Sequence, residues 1–148
     1  MPTAIHRRVE LCKSGEYPQL VAQVPSGFVI LADKQVLRGY CLLLPDPIPI
    51  HLNALEGSAR EQFLADMARL GDALLAVTGA VRINYEMLGN LDPALHAHVI
   101  PRYDEEPEPL RTKPIWSYDW EAAPAFSESE HGELREAIRR KLSTMDAR

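Results

Sequence analysis

The stretch from Asn84 to Tyr103, NYEMLGNLDPALHAHVIPRY, constrains the fold of this chain more than any other segment. It contains two histidines, His96 and His98, separated by one small residue. Successive side chains of an extended strand point to opposite faces, so histidines two positions apart project from the same face. Apolar residues follow the pair as far as Pro101, where a missing backbone donor is expected to end the strand. The sequence therefore predicts a buried strand that presents two adjacent imidazoles on one side.

Periodic apolar residues predict the elements around this strand. Helices are predicted at residues 4–13 and 58–77 and after Ser127, where Ser127 and Glu130 have the spacing of a capping box. Short apolar runs between turn residues predict strands at residues 20–24, 28–31, 39–44, 81–88 and 95–100. The interval 104–125 is rich in proline and has little predicted regular structure. Its alternating aromatics need a surface to lie on, either a pocket of the same subunit or a partner subunit: Trp116, Tyr118 and Trp120.

Composition excludes several classes of protein. The net charge of −5, with acidic and basic residues interspersed, argues against binding of a nucleic acid polymer. No run approaches the roughly 20 apolar residues of a membrane-spanning helix, and the first residues have no apolar signal core. Cys12 and Cys41 lie far apart and form no paired motif, which indicates neither a zinc knuckle nor a disulfide framework. We expect a single-domain protein of the cytoplasm.

The sequence ALHAHVI at residues 94–100 resembles the signature of the histidine triad (HIT) family, His-φ-His-φ-His-φ-φ, where φ is apolar. His96 takes the middle position, His98 takes the third, and Ala94 replaces the first histidine. The order of the predicted elements is similar to that of the family from about Gly27 to Tyr103, which is about half of the chain. The incomplete triad is the main departure from the family pattern.

The resemblance implies an α+β fold. An antiparallel sheet of about five strands would carry one long packed helix, together with terminal helices. The whole chain, 1–148, would form one HIT-like domain with a core at about 27–103, a proline- and aromatic-rich segment at 104–126 and a C-terminal helix at about 128–145. Family members commonly form homodimers through the helix and the strand beside it, and we expect a homodimer here.

The resemblance also implies catalytic roles for the two histidines. His96 would be the nucleophile that attacks the α-phosphorus of a nucleotide and forms a nucleotidyl-histidine, which water then resolves. Its other ring nitrogen would be held by a backbone carbonyl, which Ala94 still supplies. His98 would donate a hydrogen bond to a non-bridging or leaving-group oxygen. The reaction would need neither a metal ion nor a cofactor.

Further residues are candidates for the substrate site. The family's relay histidine after a glycine is replaced by Tyr40, so that a tyrosine hydroxyl or a water fills this space, or the relay is absent. Asn90 matches the family's polar phosphate contact in the turn before the histidine strand. Asn84, on the neighbouring strand, is a second polar candidate. Arg102 follows the histidine strand and could neutralise phosphate charge. Asp33 is the candidate for ribose binding if the strand shifts by one residue or its end turns.

The sequence therefore favours two functions. The first is a phosphohydrolase or phosphoramidase for a small-molecule nucleotide, either a dinucleoside polyphosphate or a nucleoside phosphoramidate. The second is a nucleotide-binding module that has lost turnover with the first histidine. The pair could instead bind a metal ion, although no third ligand is nearby in sequence, or belong to an ordinary core. His6, His51 and His131 are interpreted as surface residues, and Asn90 is equally well a turn former.

Overall fold

The computed structural model describes residues 2–146, and this part of the chain contains one antiparallel sheet of five strands. The strands lie in the order β1-β2-β3-β5-β4. Their bounds are β1 Leu20–Val24, β2 Gly27–Leu31, β3 Cys41–Pro45, β4 Arg82–Glu86 and β5 Ala97–Arg102. The helices are α1 Ala4–Ser14, α2 Gly57–Thr78, α3 Glu108–Arg111 and α4 Glu128–Asp146. The predicted α+β class, with one long helix and terminal helices, is confirmed.

The histidine strand differs from its prediction at both ends. β5 begins at Ala97, so His96 is the last residue of the connection from β4 and His98 lies on the strand itself. The expected stop at Pro101 is wrong, since Pro101 pairs with Ile83 and the strand continues to Arg102. β3 pairs with β5 only as far as Val99, so the proline occupies a stretch with one neighbouring ladder, where a missing N–H is tolerated.

The two faces of the sheet pack against different layers. On one face, α2 and α4 cover a core of alternate strand residues that includes Leu43, Ala97 and Val99. On the other face, α1 and the segment around Ile115 cover the residues between them in sequence, including Leu42 and Ile100. β5 is buried along its whole length because both layers contact it. The even-numbered residues of β5 therefore face α1, and His98 belongs to this set.

Two of the other histidines, His6 and His131, stabilise helix ends. Thr3 caps α1, and Nδ1 of His6 in turn accepts the Thr3 amide, which forms a reciprocal capping box. At the start of α4, the Ser127 hydroxyl accepts the Glu130 amide, while Nδ1 of His131 accepts the Ser127 amide. The interpretation of His131 as a surface residue is wrong, because its ring is buried and stacks on Phe126.

The segment between β5 and α4 has little regular structure, as predicted, apart from α3 and a 3-10 turn at Ile115–Ser117. Ile115 is fully buried in the layer that covers the α1 face of the sheet. Tyr118 and Trp120 pack partly against the same layer. The segment is thus anchored across the face that carries His98. Within residues 2–146, no helix combines the length and the apolar character needed to cross a membrane.

Replacement of Leu70 by alanine tests the packing of α2. Leu70 is fully buried against the sheet, whereas Leu75 on the same helix is 39% exposed. We expect Leu70→Ala to lower the free energy of unfolding by about 2–5 kcal/mol because it leaves a cavity. Leu75→Ala, the matched control, is expected to change it by about 0.5 kcal/mol or less. Urea denaturation measures both, and equal losses in the two variants would contradict the described packing.

Candidate functional site

The two histidines form a compact pair on the α1 face of the sheet. The centres of their rings lie 4.9 Å apart and the ring planes are inclined by 70°. His96 is 8% exposed and His98 is 9% exposed, so both residues are almost entirely buried. The structure therefore places both imidazoles on one side, as the spacing predicts. Two rings this close can contact the same small ligand.

His96 is oriented by the backbone of Ala94. Its Nδ1 lies 2.7 Å from the Ala94 carbonyl oxygen, which is the hydrogen bond that the resemblance implies. A carbonyl oxygen only accepts, so Nδ1 of His96 carries the hydrogen of this bond. In a neutral ring, Nε2 then has a free lone pair. The side chain of Ala94 takes no part in this contact, and it is fully buried.

His98 has a different neighbour, the side chain of Tyr40. The phenol oxygen lies 2.7 Å from Nδ1 of His98, and both residues are buried. Burial lowers the pKa of His98 to about 4, and the charges of His96 and Arg8 lower it in the same direction. His98 is therefore neutral at neutral pH. Sequence reasoning missed Arg8 because α1 carries none of the family's motif residues.

A cavity of about 340 Å³ opens beside His96. Three segments line it, residues 50–53, 87–90 and 94–96, and its polar side chains besides His96 are His51, Asn53 and Asn90. His51 is exposed, as predicted, but its position in this cavity was not anticipated. Its sequence neighbourhood, a proline-rich loop, gave no signal for such a placement. Within the described residues, no lysine or arginine lines this cavity.

Aromatic side chains from the proline-rich segment lie against His98. The Trp116 ring is 5.3 Å from the His98 ring at a right angle, and it stacks on Trp120 at 5.0 Å. Trp120 in turn meets the edge of Tyr40 at 6.0 Å. The Trp116 indole N–H donates to Glu86, which is the direct β4 partner of His98. The tryptophans of this chain therefore lie beside its own histidine pair.

Arg102 and Asn84 lie on the same sheet face but outside the cavity of His96. The Arg102 guanidinium donates to both carboxylate oxygens of Glu106, and its Nη1 donates to Asn84 at 2.8 Å. Burial alone would raise the pKa of Glu106, but hydrogen bonds from Arg102, Tyr118 and the Tyr103 amide lower it below its ordinary value. Arg102, Asn84 and Glu106 border a separate cavity of about 500 Å³. Arg102 is the cation of a buried ion pair.

Asp33 is also engaged by protein groups. It follows β2, and its carboxylate accepts from Arg8 at 2.7 Å and from Gln19 at 2.5 Å. Asp33 itself is exposed and does not line the cavity of His96. The structure thus brings together four of the predicted site positions, His96, His98, Tyr40 and Asn90, and leaves the other three bound to partners outside the pair.

The described residues also bear on metal binding. Among residues 2–146, no three histidine, cysteine, aspartate or glutamate side chains are grouped in a way that could hold a metal ion. Cys12 and Cys41 are free and buried. Burial raises the pKa of the Cys12 thiol to about 12, which makes it a poor ligand and a poor nucleophile at neutral pH.

Solved histidine triad proteins share this fold. The structure aligns with one from Sinorhizobium meliloti (TM-score 0.75, 20% identity, 94% of this chain and 96% of that one). It aligns similarly with one from Bradyrhizobium japonicum (TM-score 0.74, 23% identity, 96% and 99%). A third, from Marinobacter aquaeolei, gives a TM-score of 0.76 at 18% identity over 97% and 98%. At the level of sequence, no protein-family model and no curated protein matches this chain. The fold is that of the histidine triad proteins.

The low pKa of His98 predicts a pH dependence of stability. Unfolded histidine titrates near 6.5, so between about pH 6.5 and 4 the unfolded state binds more protons than the folded state. We expect the free energy of unfolding to decrease as pH falls through this window. His98→Gln should reduce that slope, whereas His51→Gln, at an exposed position, should not. Urea denaturation at several pH values provides the measurement, and parallel slopes in wild type and His98→Gln would refute the assignment.

Glu106→Ala tests whether Arg102 is structural. This substitution leaves a buried guanidinium without its carboxylate, and we expect a loss of about 3–5 kcal/mol in the free energy of unfolding. Glu105→Ala is the matched control at an exposed neighbouring position, with an expected change of about 0.5 kcal/mol or less. Chemical denaturation compares the two. A small loss of unfolding free energy in Glu106→Ala would contradict this structural role and leave Arg102 as a candidate for ligand binding.

Proposed function

We propose that this chain is a nucleotide phosphohydrolase or phosphoramidase that acts at an α-phosphate through a covalent intermediate on His96. The observation that carries the proposal is the hydrogen bond between Nδ1 of His96 and the Ala94 carbonyl. It leaves Nε2 as the basic nitrogen of a ring that borders a cavity of suitable size for a small ligand. The histidine triad fold supports the same class of nucleotide-binding hydrolases and transferases.

The proposed reaction has two steps. Nε2 of His96 attacks the α-phosphorus, the new N–P bond forms, and the bond to the leaving group breaks. A polyphosphate leaves as the anion with the electron pair of that bond, whereas the amine of a phosphoramidate leaves as a neutral molecule after its nitrogen takes a proton from water. The imidazole becomes cationic, and the Ala94 carbonyl stabilises it by accepting the Nδ1 hydrogen. His98 donates a hydrogen bond to a phosphate or leaving-group oxygen. Water then attacks phosphorus, the N–P bond breaks, and His96 is restored as the nucleoside monophosphate leaves with one proton released.

Neutral donors would bind the phosphate. Asn90 borders the cavity and is the proposed phosphate contact. We assign no phosphate contact to Arg102 or Asn84, because they bond to each other and Arg102 also bonds to Glu106. Asp33 would have to exchange its bond with Arg8 or Gln19 for a ribose hydroxyl, and it remains the ribose candidate on that condition.

A homodimer and a cytoplasmic location complete the proposal. β4 is an edge strand, and apolar groups on and beside it are exposed, with Val81 at 55% and Tyr85 at 41%. An exposed edge with apolar groups is suited to pairing with a second copy. The two free, buried cysteines are compatible with a reducing compartment.

The second candidate function is a nucleotide-binding module without turnover. The observation that favours it is the identity of residue 94, since the methyl group of alanine cannot join a hydrogen-bonded relay. The Tyr40 hydroxyl bonds to His98 and not to a group at position 94. Binding and turnover can be measured separately, because a bound nucleotide raises the melting temperature of the protein whether or not it is hydrolysed.

Release of adenosine monophosphate from adenosine 5′-phosphoramidate and from diadenosine polyphosphates, in the presence of a chelator, tests the proposal. We expect release by the wild-type protein and only background release by His96→Ala, since alanine has no nucleophile. His6→Gln is the histidine control, because His6 caps α1 and does not line the cavity of His96, and it should retain the activity.

Two other outcomes would decide against the hydrolase mechanism. No release, with a nucleotide-dependent rise in melting temperature, would favour the binding module. Release that requires a divalent metal and disappears with chelator would replace metal-free histidine chemistry with metal-dependent chemistry.

A further inference from the structure

The contact between Tyr40 and His98 joins two buried side chains, one from the residue just before β3 and one from β5. The phenol oxygen is 2.7 Å from Nδ1 of His98. Within residues 2–146, this is the hydrogen bond that the Tyr40 hydroxyl makes. Tyr40 is 2% exposed, so water does not surround the phenol as a competing partner.

The backbone around Tyr40 is held by a buried glutamine. The Gln35 amide nitrogen donates to the carbonyls of Ala32 and Tyr40, and its oxygen accepts the Gly39 amide. Gly39 has a φ of 95°, and a Cβ at this position would come within 3.1 Å of Thr78. Hydrogen bonds to Gln35 and close packing around Gly39 therefore hold this loop in place. It directs the phenol at β5 irrespective of any ligand.

Within the described residues the Tyr40 hydroxyl makes no other hydrogen bond, so its hydrogen has a partner only if the phenol donates to Nδ1 of His98. Burial raises the pKa of Tyr40, and the nearby carboxylate of Glu86 raises it further, so the hydroxyl stays protonated. Burial, His96 and Arg8 all disfavour the charged form of His98. A neutral imidazole has one N–H and one acceptor nitrogen. A hydroxyl that donates to Nδ1 makes Nδ1 the acceptor, and the hydrogen of His98 is then on Nε2.

The two histidines would then have opposite tautomers. His96 carries its hydrogen on Nδ1, because the Ala94 carbonyl can only accept, and its Nε2 has the lone pair. We propose that Tyr40 is a positioning residue that holds His98 in the Nε2–H tautomer, so that one ring of the pair is a nucleophile and the other a hydrogen-bond donor. Without the phenol, both neutral rings are free to present a lone pair from Nε2.

This assignment has a consequence for the reaction, which rests on the proposed function. A phosphate oxygen attracts an N–H and repels a nitrogen lone pair, so only the Nε2–H tautomer of His98 stabilises the charge that develops on oxygen. Tyr40 acts through His98 and needs no contact with substrate. Its loss should reduce turnover more than substrate binding.

Tautomers are observable without any substrate. We would record two-bond ¹H–¹⁵N correlation spectra of the protein labelled with ¹⁵N-histidine at pH 7, and assign His98 by its absence in His98→Gln. We expect an Nε2–H pattern for His98 and an Nδ1–H pattern for His96. In Tyr40→Phe, His98 should move to a mixture of tautomers, because its Nδ1 no longer accepts a hydrogen bond from the phenol.

Tyr103→Phe is the matched control. It removes a phenol that donates to the Arg38 carbonyl, away from His98, and should leave both histidine patterns unchanged. An Nδ1–H pattern for His98 in the wild-type protein would overturn the proposal, and so would a Tyr40→Phe spectrum identical to that of the wild type. The wild-type spectrum decides the tautomer even if Tyr40→Phe does not fold.

Kinetics test the catalytic consequence separately. If wild type releases adenosine monophosphate, kcat of Tyr40→Phe should fall by about 10- to 100-fold with KM little changed, as for other groups that orient a reacting imidazole. An unchanged kcat in a variant whose tautomer has shifted would overturn this consequence. If wild type shows no turnover, the proposed function fails while the spectra still decide the tautomer.

Discussion

The pairing of β5 with β3 on one side and β4 on the other fixes the positions of most groups in the site. Side chains alternate along β5, so that Ala97 and Val99 enter the core under α2 and α4 while His98 faces α1. A slip of one residue would exchange the two sets and bury the imidazole under α2. Burial of the apolar residues thus fixes the register of β5, and the register determines the face on which His98 lies.

Alternation also separates groups that share a face. His98, Ile100 and Arg102 are successive residues on the α1 side of β5, and four residues of strand span about 13 Å. Ile100 is fully buried between them, so a ligand on His98 does not extend to Arg102 along the strand. A guanidinium buried at that distance from the site needs its own anion, and Glu106 provides it. Two residues on the same face of a sheet therefore need not contact the same ligand, and lining the same cavity is better evidence that they do.

The parts of the structure that local pattern determines were predictable. The periodicity of residues 58–77 and the strand-length apolar runs report directly on helices and strands, and their order led to the histidine triad fold. Placement of irregular segments depends on contacts between residues distant in sequence. Trp116 meets Glu86 across 30 positions, and the loop of His51 meets His96 through a cavity, and no local pattern encodes either contact. The buried state of His131 likewise arises from packing on Phe126.

The two imidazoles depend on their surroundings in different ways. The group that orients His96 is a backbone carbonyl, and any residue at position 94 that preserves the chain path supplies it. A change of side chain at position 94 therefore does not by itself disturb the orientation of His96. The group that orients His98 is a side-chain hydroxyl, and its direction depends on a glycine and a buried glutamine in the preceding loop. The identity of the side chain should therefore matter more at position 40 than at position 94, although the triad signature includes only the latter.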